Sequence, residues 1–178
     1  MVDGAVIFPF FMARGWFTAR VLPERLSGFS YHMATPFGLL SDLPALAAST
    51  LSKVVEARGW QLSQTRVLLA AHGSARGPKA AEAAERFATQ LRATLPGVSL
   101  TTGYVEQFTY IHEAAKGLGE QSLCLPFFAQ SGAHVREDIP EALSQAGFKG
   151  DILPVLGALH DVPKLIAKAI EDAHRQTL

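Results

Sequence analysis

The sequence predicts an α/β protein built on parallel sheets, with one complete four-strand lobe preceded by half of a second lobe. Short apolar runs alternate with longer segments of helical periodicity, which is the pattern of consecutive strand–helix units. A stretch near the N-terminus also recurs in the second half of the chain, 117 residues later, so that Pro9 corresponds to Pro126. Residues 1–60 are therefore expected to form the partial lobe, and residues 61–178 the complete lobe.

The complete lobe is predicted to begin with a buried strand and a helix. The uninterrupted apolar run 67–71 is typical of a strand that is covered on both faces, and it ends in His72-Gly73-Ser74. Pro78 is expected to open the helix, and Pro96-Gly97 to end it. The apolar side chains of this helix recur with a period of about 3.6 residues at Ala80, Ala84, Phe87, Ala88, Leu91 and Leu95.

Three further strand–helix units follow in the sequence. The remaining strands are expected at about residues 99–105, 122–125 and 151–154. The helices are expected near residues 111–118, from the loop 132–134 to about residue 145, and over a final segment whose apolar stripe consists of Val162, Leu165, Ile166, Ala169 and Ile170. Four such units in a row imply a right-handed parallel sheet with helices on both faces.

The first 60 residues repeat the second half of this plan. Phe8-Pro9-Phe10-Phe11 corresponds to Leu125-Pro126-Phe127-Phe128, and Phe17 falls on His134. We expect a strand over residues 6–10, a helix over 18–26 and a strand over 29–33. The last strand matches its counterpart with a shift of 119, because the second copy holds two more residues between the matching segments. The repeat therefore predicts a half-lobe with the same local structure as the end of the chain.

Composition excludes several classes of function. The 16 basic and 16 acidic residues cancel, so nothing indicates a nucleic-acid partner. Cys124 is the only cysteine, which excludes a disulfide framework and fits a cytoplasmic protein. No run approaches the roughly 18 apolar residues of a membrane helix, so no membrane partner is expected. The segment 73–79 departs from the phosphate-binding GxxxxGK[ST] pattern, and GxGxxG is absent, so no nucleotide cofactor is expected.

Three potential metal ligands follow three successive predicted strands. His72 follows the first strand, Glu106 the second, and His134 lies in the loop after the third. Ligands of parallel sheets bind at the carboxyl ends of the strands, and two imidazoles with one carboxylate suit a divalent first-row metal. A hydrogen-bonded structural histidine is the alternative for each position taken alone. Phe17 replaces His134 in the first copy, which favours a role for His134 in chemistry.

The residues at these strand ends form motifs that resemble a known family. The motifs are Leu68-Leu69-Ala70-Ala71-His72-Gly73-Ser74, Tyr104-Val105-Glu106 and the segment from Leu125 to Pro140. Together they resemble the CbiX/SirB class II chelatases, the sirohydrochlorin cobalto- and ferrochelatases. The resemblance covers residue 66 to the C-terminus as one complete unit and residues 1–60 as the later half of a second. It implies a chelatase-like parallel-sheet fold.

The resemblance also implies an activity and a set of site residues. The family inserts Co²⁺ or Fe²⁺, as a substrate, into the tetrapyrrole sirohydrochlorin without ATP, on the routes to cobalamin and sirohaem, and its members are classed as lyases. Its metal-handling and catalytic residues correspond to His72, Glu106 and His134. Which metal is used cannot be predicted, because selectivity depends on geometry and metal supply.

Basic and aromatic side chains complete the expected substrate site. Sirohydrochlorin carries many carboxylates, for which Arg76, Lys79 and Arg136 are the expected partners. Trp16 and Phe17 are expected either to face the macrocycle from the opposite wall or to pack in the core. Two alternatives to a chelatase remain open, a metal or tetrapyrrole carrier without turnover and a purely structural remnant. Association into a homo-oligomer is a further expectation, since an incomplete first sheet exposes an edge.

Overall fold

The computed structural model describes residues 4–74 and 77–176, and it confirms the parallel α/β fold. A four-stranded sheet has the order β4-β3-β5-β6, and a separate two-stranded sheet contains β1 and β2. The strands of the larger sheet are β3 (Arg66–Ala71), β4 (Ser99–Tyr104), β5 (Ser122–Pro126) and β6 (Asp151–Ile152). All of their pairings are parallel, so the carboxyl ends of the strands lie along one edge.

Six α-helices accompany the strands in the described part of the chain. They are α1 (Leu22–Arg25), α2 (Leu43–Ala57), α3 (Lys79–Thr94), α4 (Ile111–Ala114), α5 (Ile139–Gln145) and α6 (Val162–Arg175). The predicted stripe of α3 is largely confirmed, because Ala84, Phe87, Ala88 and Leu91 are all buried. None of the described helices combines the length and the apolar character that crossing a membrane requires.

Strand β3 lies at the centre of the larger sheet because its side chains are apolar on both faces. Val67 and Leu69 pack into one hydrophobic core, and Leu68 and Ala70 pack into a second. Successive side chains of a strand point to opposite faces, so a strand with helices on both sides needs an uninterrupted apolar run. This arrangement places His72, the first residue after the strand, at the middle of the sheet edge.

The two-stranded sheet repeats the geometry of β5 and β6. Its strands are β1 (Ala5–Ile7) and β2 (Tyr31–Met33). Ile7 pairs with Met33 in the small sheet. Their counterparts in the second copy are Cys124 and Ile152, and these two residues also pair with each other. The internal repeat read from the sequence is thus preserved in the register of the parallel pairing.

The repeat extends to an unusual helical turn. Residues Phe17–Val21 form a π-helical turn that leads into α1, and His134–Asp138 form the corresponding turn before α5. The two turns align residue for residue with the shift of 117. Such turns are rare and are frequent at functional sites. The expected helix over residues 18–26 is therefore present as this turn followed by α1.

Several elements are shorter than the sequence predicted. The strand expected over residues 6–10 ends at Ile7, and the one expected over 151–154 ends at Ile152. Each is soon followed by a proline, which cannot donate to a strand pairing. Helix α4 ends at Ala114 instead of near residue 118. The chain then turns through Gly117 and Gly119, whose φ angles are 71° and 77° and are incompatible with a continuing helix.

The hydrophobic core is continuous across the boundary expected near residue 60. Phe37 and Leu51 of the first half are fully buried in the same cluster as Phe87 and Leu123 of the second. Helix α6 in turn packs on β1 and β2. The two parts of the chain therefore bury their apolar surface against each other.

Candidate metal centre

The structure brings His72, Glu106 and His134 together at one edge of the larger sheet. His72 follows the central strand β3, Glu106 lies two residues beyond β4, and His134 opens the π-helical turn after β5. Because β4 and β5 flank β3 in the sheet, the three side chains converge from neighbouring strands. One ligand atom from each lies within 4.8 Å of the others, and no second such group occurs in residues 4–74 and 77–176.

The distances in this cluster suit a common ion after a small contraction. The rings of His72 and His134 stand edge to face, with centroids 4.6 Å apart and planes at 87°. Oε2 of Glu106 lies 3.6 Å from Nδ1 of His72, which is the ring nitrogen that faces away from a bound ion. In tetrahedral geometry, ligands of one ion at roughly 2.0–2.2 Å lie about 3.3–3.6 Å from one another. The ligand atoms lie up to 4.8 Å apart, so movements of about 1 Å would bring all three side chains into coordination distance.

Hydrogen bonds give both imidazoles the same tautomer. Nδ1–H of His72 donates to the carbonyl oxygen of Gly73 at 2.9 Å, and Nδ1–H of His134 donates to Oδ2 of Asp138 at 2.5 Å. A carbonyl and a carboxylate only accept, so each Nδ1 carries the proton. The lone pair of each ring is consequently on Nε2, which is the atom available to a metal ion.

The loop that carries His72 is held against the end of β4. The Glu106 amide donates to the His72 carbonyl at 3.0 Å, and the Ser74 amide donates to Oε1 of Gln107 at 2.9 Å. Gly73 lies between them with a φ of 69°, a conformation that favours glycine. Gln107 was not among the predicted site residues, and no spacing in the sequence would have indicated a role for it.

The cluster is open to large ligands. The side chains of His72, Glu106 and His134 are 40%, 45% and 40% exposed, so about half of each is in contact with solvent. Three protein ligands also leave coordination positions unfilled. A site of this kind can take up an ion and release it again, whereas a closed structural site holds its ion permanently.

An aromatic cleft of about 400 Å³ lies between the two halves of the molecule, beside the His72 loop. One wall comes from the first half and includes Phe11, Trp16 and Phe17, and the other includes Ser74 and Lys79. The Trp16 side chain is 72% exposed, so of the two expectations for this residue, packing in the core is wrong. Phe17, the counterpart of His134, is 41% exposed and packs on Phe11 with ring centroids 5.3 Å apart.

The three basic residues expected to bind substrate carboxylates differ in their placement. Lys79 lines the cleft and forms an exposed ion pair with Glu82 at 2.8 Å. Arg136 is exposed and donates to the carbonyl oxygen of Ser131 at 2.9 Å, outside the lining of the cleft. Arg76 lies outside the described residues. The role of each in binding a substrate remains a prediction.

Asp138 is a second residue beside the predicted ligands for which the sequence predicted no function. It belongs to the quoted motif, and its carboxylate accepts the hydrogen bond from His134. The signal in the sequence was its position four residues after the histidine, since residues four apart on a helix face the same side. The structure adds that the two lie at the first and last positions of the π-helical turn.

The internal repeat, the parallel sheets and the ligand cluster beside an open cleft are together characteristic of the chelatase class of α/β proteins. The CbiX family model matches residues 66–173. The chain is 42% identical to a CbiX described as the terminal enzyme of siroheme biosynthesis in denitrifying bacteria, with a TM-score of 0.88 over 97% of this chain and 77% of that one. The protein belongs to the CbiX family.

More distant structures share the fold. SirB from Bacillus subtilis with Fe³⁺ matches with a TM-score of 0.76 and 14% identity, over 97% of this chain and 72% of that one. The sirohydrochlorin chelatase SirB from Bacillus subtilis subspecies spizizenii in complex with cobalt matches with a TM-score of 0.70 and 11% identity, over 96% and 69%. No curated protein matches the sequence.

Proposed function

We propose that this protein inserts a divalent metal ion into sirohydrochlorin without ATP. The observation that carries the proposal is the convergence of His72, Glu106 and His134 at three adjacent strand ends, beside an open aromatic cleft. Membership in the CbiX family and the 42% identity to a terminal enzyme of siroheme biosynthesis support the same reaction. The metal is a substrate in this reaction and ends in the product.

The ion we favour is Fe²⁺, with sirohaem as the product. The support for iron comes from the siroheme-forming CbiX relative. Two nitrogen ligands and one oxygen ligand accept both Fe²⁺ and Co²⁺, and the ligand set alone does not select between them. Faster insertion of Co²⁺ would instead place the protein on the route to cobalamin.

The chemistry follows from the lone pairs of the cluster. Insertion moves one M²⁺ ion into the macrocycle and releases two protons from its pyrrole nitrogens. Nε2 of His72, Nε2 of His134 and the carboxylate of Glu106 would hold the ion and replace part of its water shell. As the pyrrole nitrogens take over the ion, each Nε2 lone pair becomes free. The imidazoles and Glu106 can then accept the two protons and pass them to solvent.

The cleft walls would orient the macrocycle over the ion. Trp16 presents a largely exposed ring, which can lie against the flat face of a tetrapyrrole. Lys79 lines the opposite wall and is available for a substrate carboxylate, and we propose the same role for Arg76 and Arg136. Because Lys79 and Arg136 are exposed, binding of substrate carboxylates by these two side chains should weaken as the salt concentration rises.

The test is anaerobic absorbance of sirohydrochlorin with Fe²⁺ or Co²⁺, with and without the protein at equal metal concentration. We expect a protein-dependent change to the spectrum of the metallated product, and His134→Ala should abolish this change. His160→Ala is the matched control, because the His160 side chain is 92% exposed and lies outside the cluster. A spectral shift on binding without metal insertion would identify a carrier, and an unchanged rate for His134→Ala would refute the proposed site.

A further inference from the structure

Among the described polar contacts that His72, Glu106 and His134 make with other side chains, the hydrogen bond between His134 and Asp138 is the shortest. Nδ1 and Oδ2 are 2.5 Å apart, and the two residues are separated by four positions. The Asp138 carboxylate is 46% exposed, and its surroundings include a separate cavity of about 240 Å³. Partly exposed ion pairs contribute little to stability, so stability alone does not account for this contact.

The first copy of the repeat provides an internal comparison. The residues that correspond to His134 and Asp138 are Phe17 and Val21, at the first and last positions of the equivalent π-helical turn. The turn therefore forms without either polar side chain. Both members of the pair are replaced together by apolar residues, so the carboxylate is present in the copy where the imidazole is present. This joint replacement links Asp138 to the chemistry of the imidazole.

We infer that Asp138 is a positioning residue for the metal centre, acting through His134. Its carboxylate holds the proton on Nδ1 and fixes the orientation of the ring, so that the Nε2 lone pair is directed to the ion. A carboxylate behind a histidine ligand also makes the ligand nitrogen more basic, and loss of such a partner typically lowers metal affinity 10–100-fold. The inference deepens the proposed function, on which it rests for the role of the ion.

The variants to compare are Asp138→Val and Asp138→Asn, with Glu137→Gln as the control. Valine occupies the corresponding position 21 in the first copy, so the turn accepts it. Asparagine keeps an oxygen that accepts from Nδ1–H but removes the charge. Glu137 is the exposed neighbour of Asp138 on the same turn, so its substitution removes one negative charge at nearly the same place.

Two measurements test the inference without sirohydrochlorin. The first is a titration with Co²⁺ alone, followed by absorbance. We expect a 10–100-fold loss of affinity for Asp138→Val, a smaller loss for Asp138→Asn and a change of less than about twofold for Glu137→Gln. The second is ¹⁵N NMR of the imidazole nitrogens in the metal-free protein. We expect the Nδ1–H tautomer of His134 in the wild type and its loss in Asp138→Val.

The outcomes separate this inference from the proposed function. Affinity and tautomer unchanged in Asp138→Val would overturn it, and so would a loss of affinity with the tautomer retained. A wild-type protein that binds Co²⁺ but does not metallate sirohydrochlorin would contradict the proposed function and leave the role of Asp138 supported. If the wild type bound no Co²⁺, the metal-positioning role would also be refuted, whatever the tautomer.

Discussion

The backbone amide of Ser74 donates a hydrogen bond to the side-chain oxygen of Gln107 at 2.9 Å. This contact joins the loop after β3 to the loop after β4, which carry His72 and Glu106 respectively. Gly73 passes beneath the Gln107 side chain, and a Cβ atom on Gly73 would lie 2.7 Å from Cγ of Gln107. The distance between His72 and Glu106 thus depends on Gly73 and on the side-chain amide of Gln107, neither of which is a predicted metal ligand.

Substitution Gly73→Ala is expected to damage both stability and the metal centre. The φ of 69° costs an alanine roughly 1–2 kcal/mol, and the added methyl group must displace Gln107. We expect a lower free energy of unfolding by about that amount and weaker Co²⁺ binding, measured by urea denaturation and by absorbance. Gly132→Ala is the control, because Gly132 has open space around its Cβ position and no positive φ. Equal effects of the two substitutions would contradict this account.

Trp16→Ala is expected to weaken tetrapyrrole binding without affecting the fold. The side chain is 72% exposed and lines the cleft, so its removal creates no cavity in the core. A lost ring contact of about 1 kcal/mol corresponds to roughly fivefold in Kd. Quenching of protein fluorescence by sirohydrochlorin would measure it, using the signal from Trp60 that remains. Trp16→Phe should retain most of the affinity, and a Kd unaffected by either change would exclude Trp16 from the substrate wall.

Phe37→Ala should destabilise the whole molecule in a single transition. Phe37 is fully buried, its ring centroid lies 4.8 Å from that of Phe10, and its cluster contains residues from both halves. Removing a buried phenylalanine costs about 3–5 kcal/mol. Phe29→Ala is the control, since Phe29 is 48% exposed. Two separate transitions, with only the first one shifted by Phe37→Ala, would show that the halves fold independently.

Cys124 should not react with thiol reagents in the native protein. The residue is fully buried in β5, and burial raises the pKa of its thiol to about 12. At pH 8 the native thiol is therefore protonated and inaccessible, and iodoacetamide should label it only in denaturant, as seen by mass spectrometry. The folded state keeps this proton to higher pH than the unfolded chain does. The contribution of the thiol to stability is therefore full below about pH 9, and it is lost as the pH rises towards 12.

The sequence predicted the architecture well where patterns were long and regular. The apolar run 67–71, the stripe of α3 and the internal repeat are strong signals, and each corresponds to an observed element. The boundaries were less accurate, because prolines and glycines end strands and helices earlier than the apolar pattern does. Both π-helical turns were expected as the beginnings of ordinary helices, since hydrophobic periodicity does not distinguish a π-helical turn from an α-helix.

For this protein, the identity of the three potential ligands and their place after successive parallel strands followed from the sequence, because strand order and direction constrain where such residues can lie. The contacts among them did not follow from it. Side-chain orientations and loop conformations decide the distances from His72 to Glu106 and His134. They also decide the hydrogen bond between His134 and Asp138 and the one from Ser74 to Gln107. These orientations and conformations are selected by packing between segments distant along the chain, and a linear pattern of residue types carries no information about them.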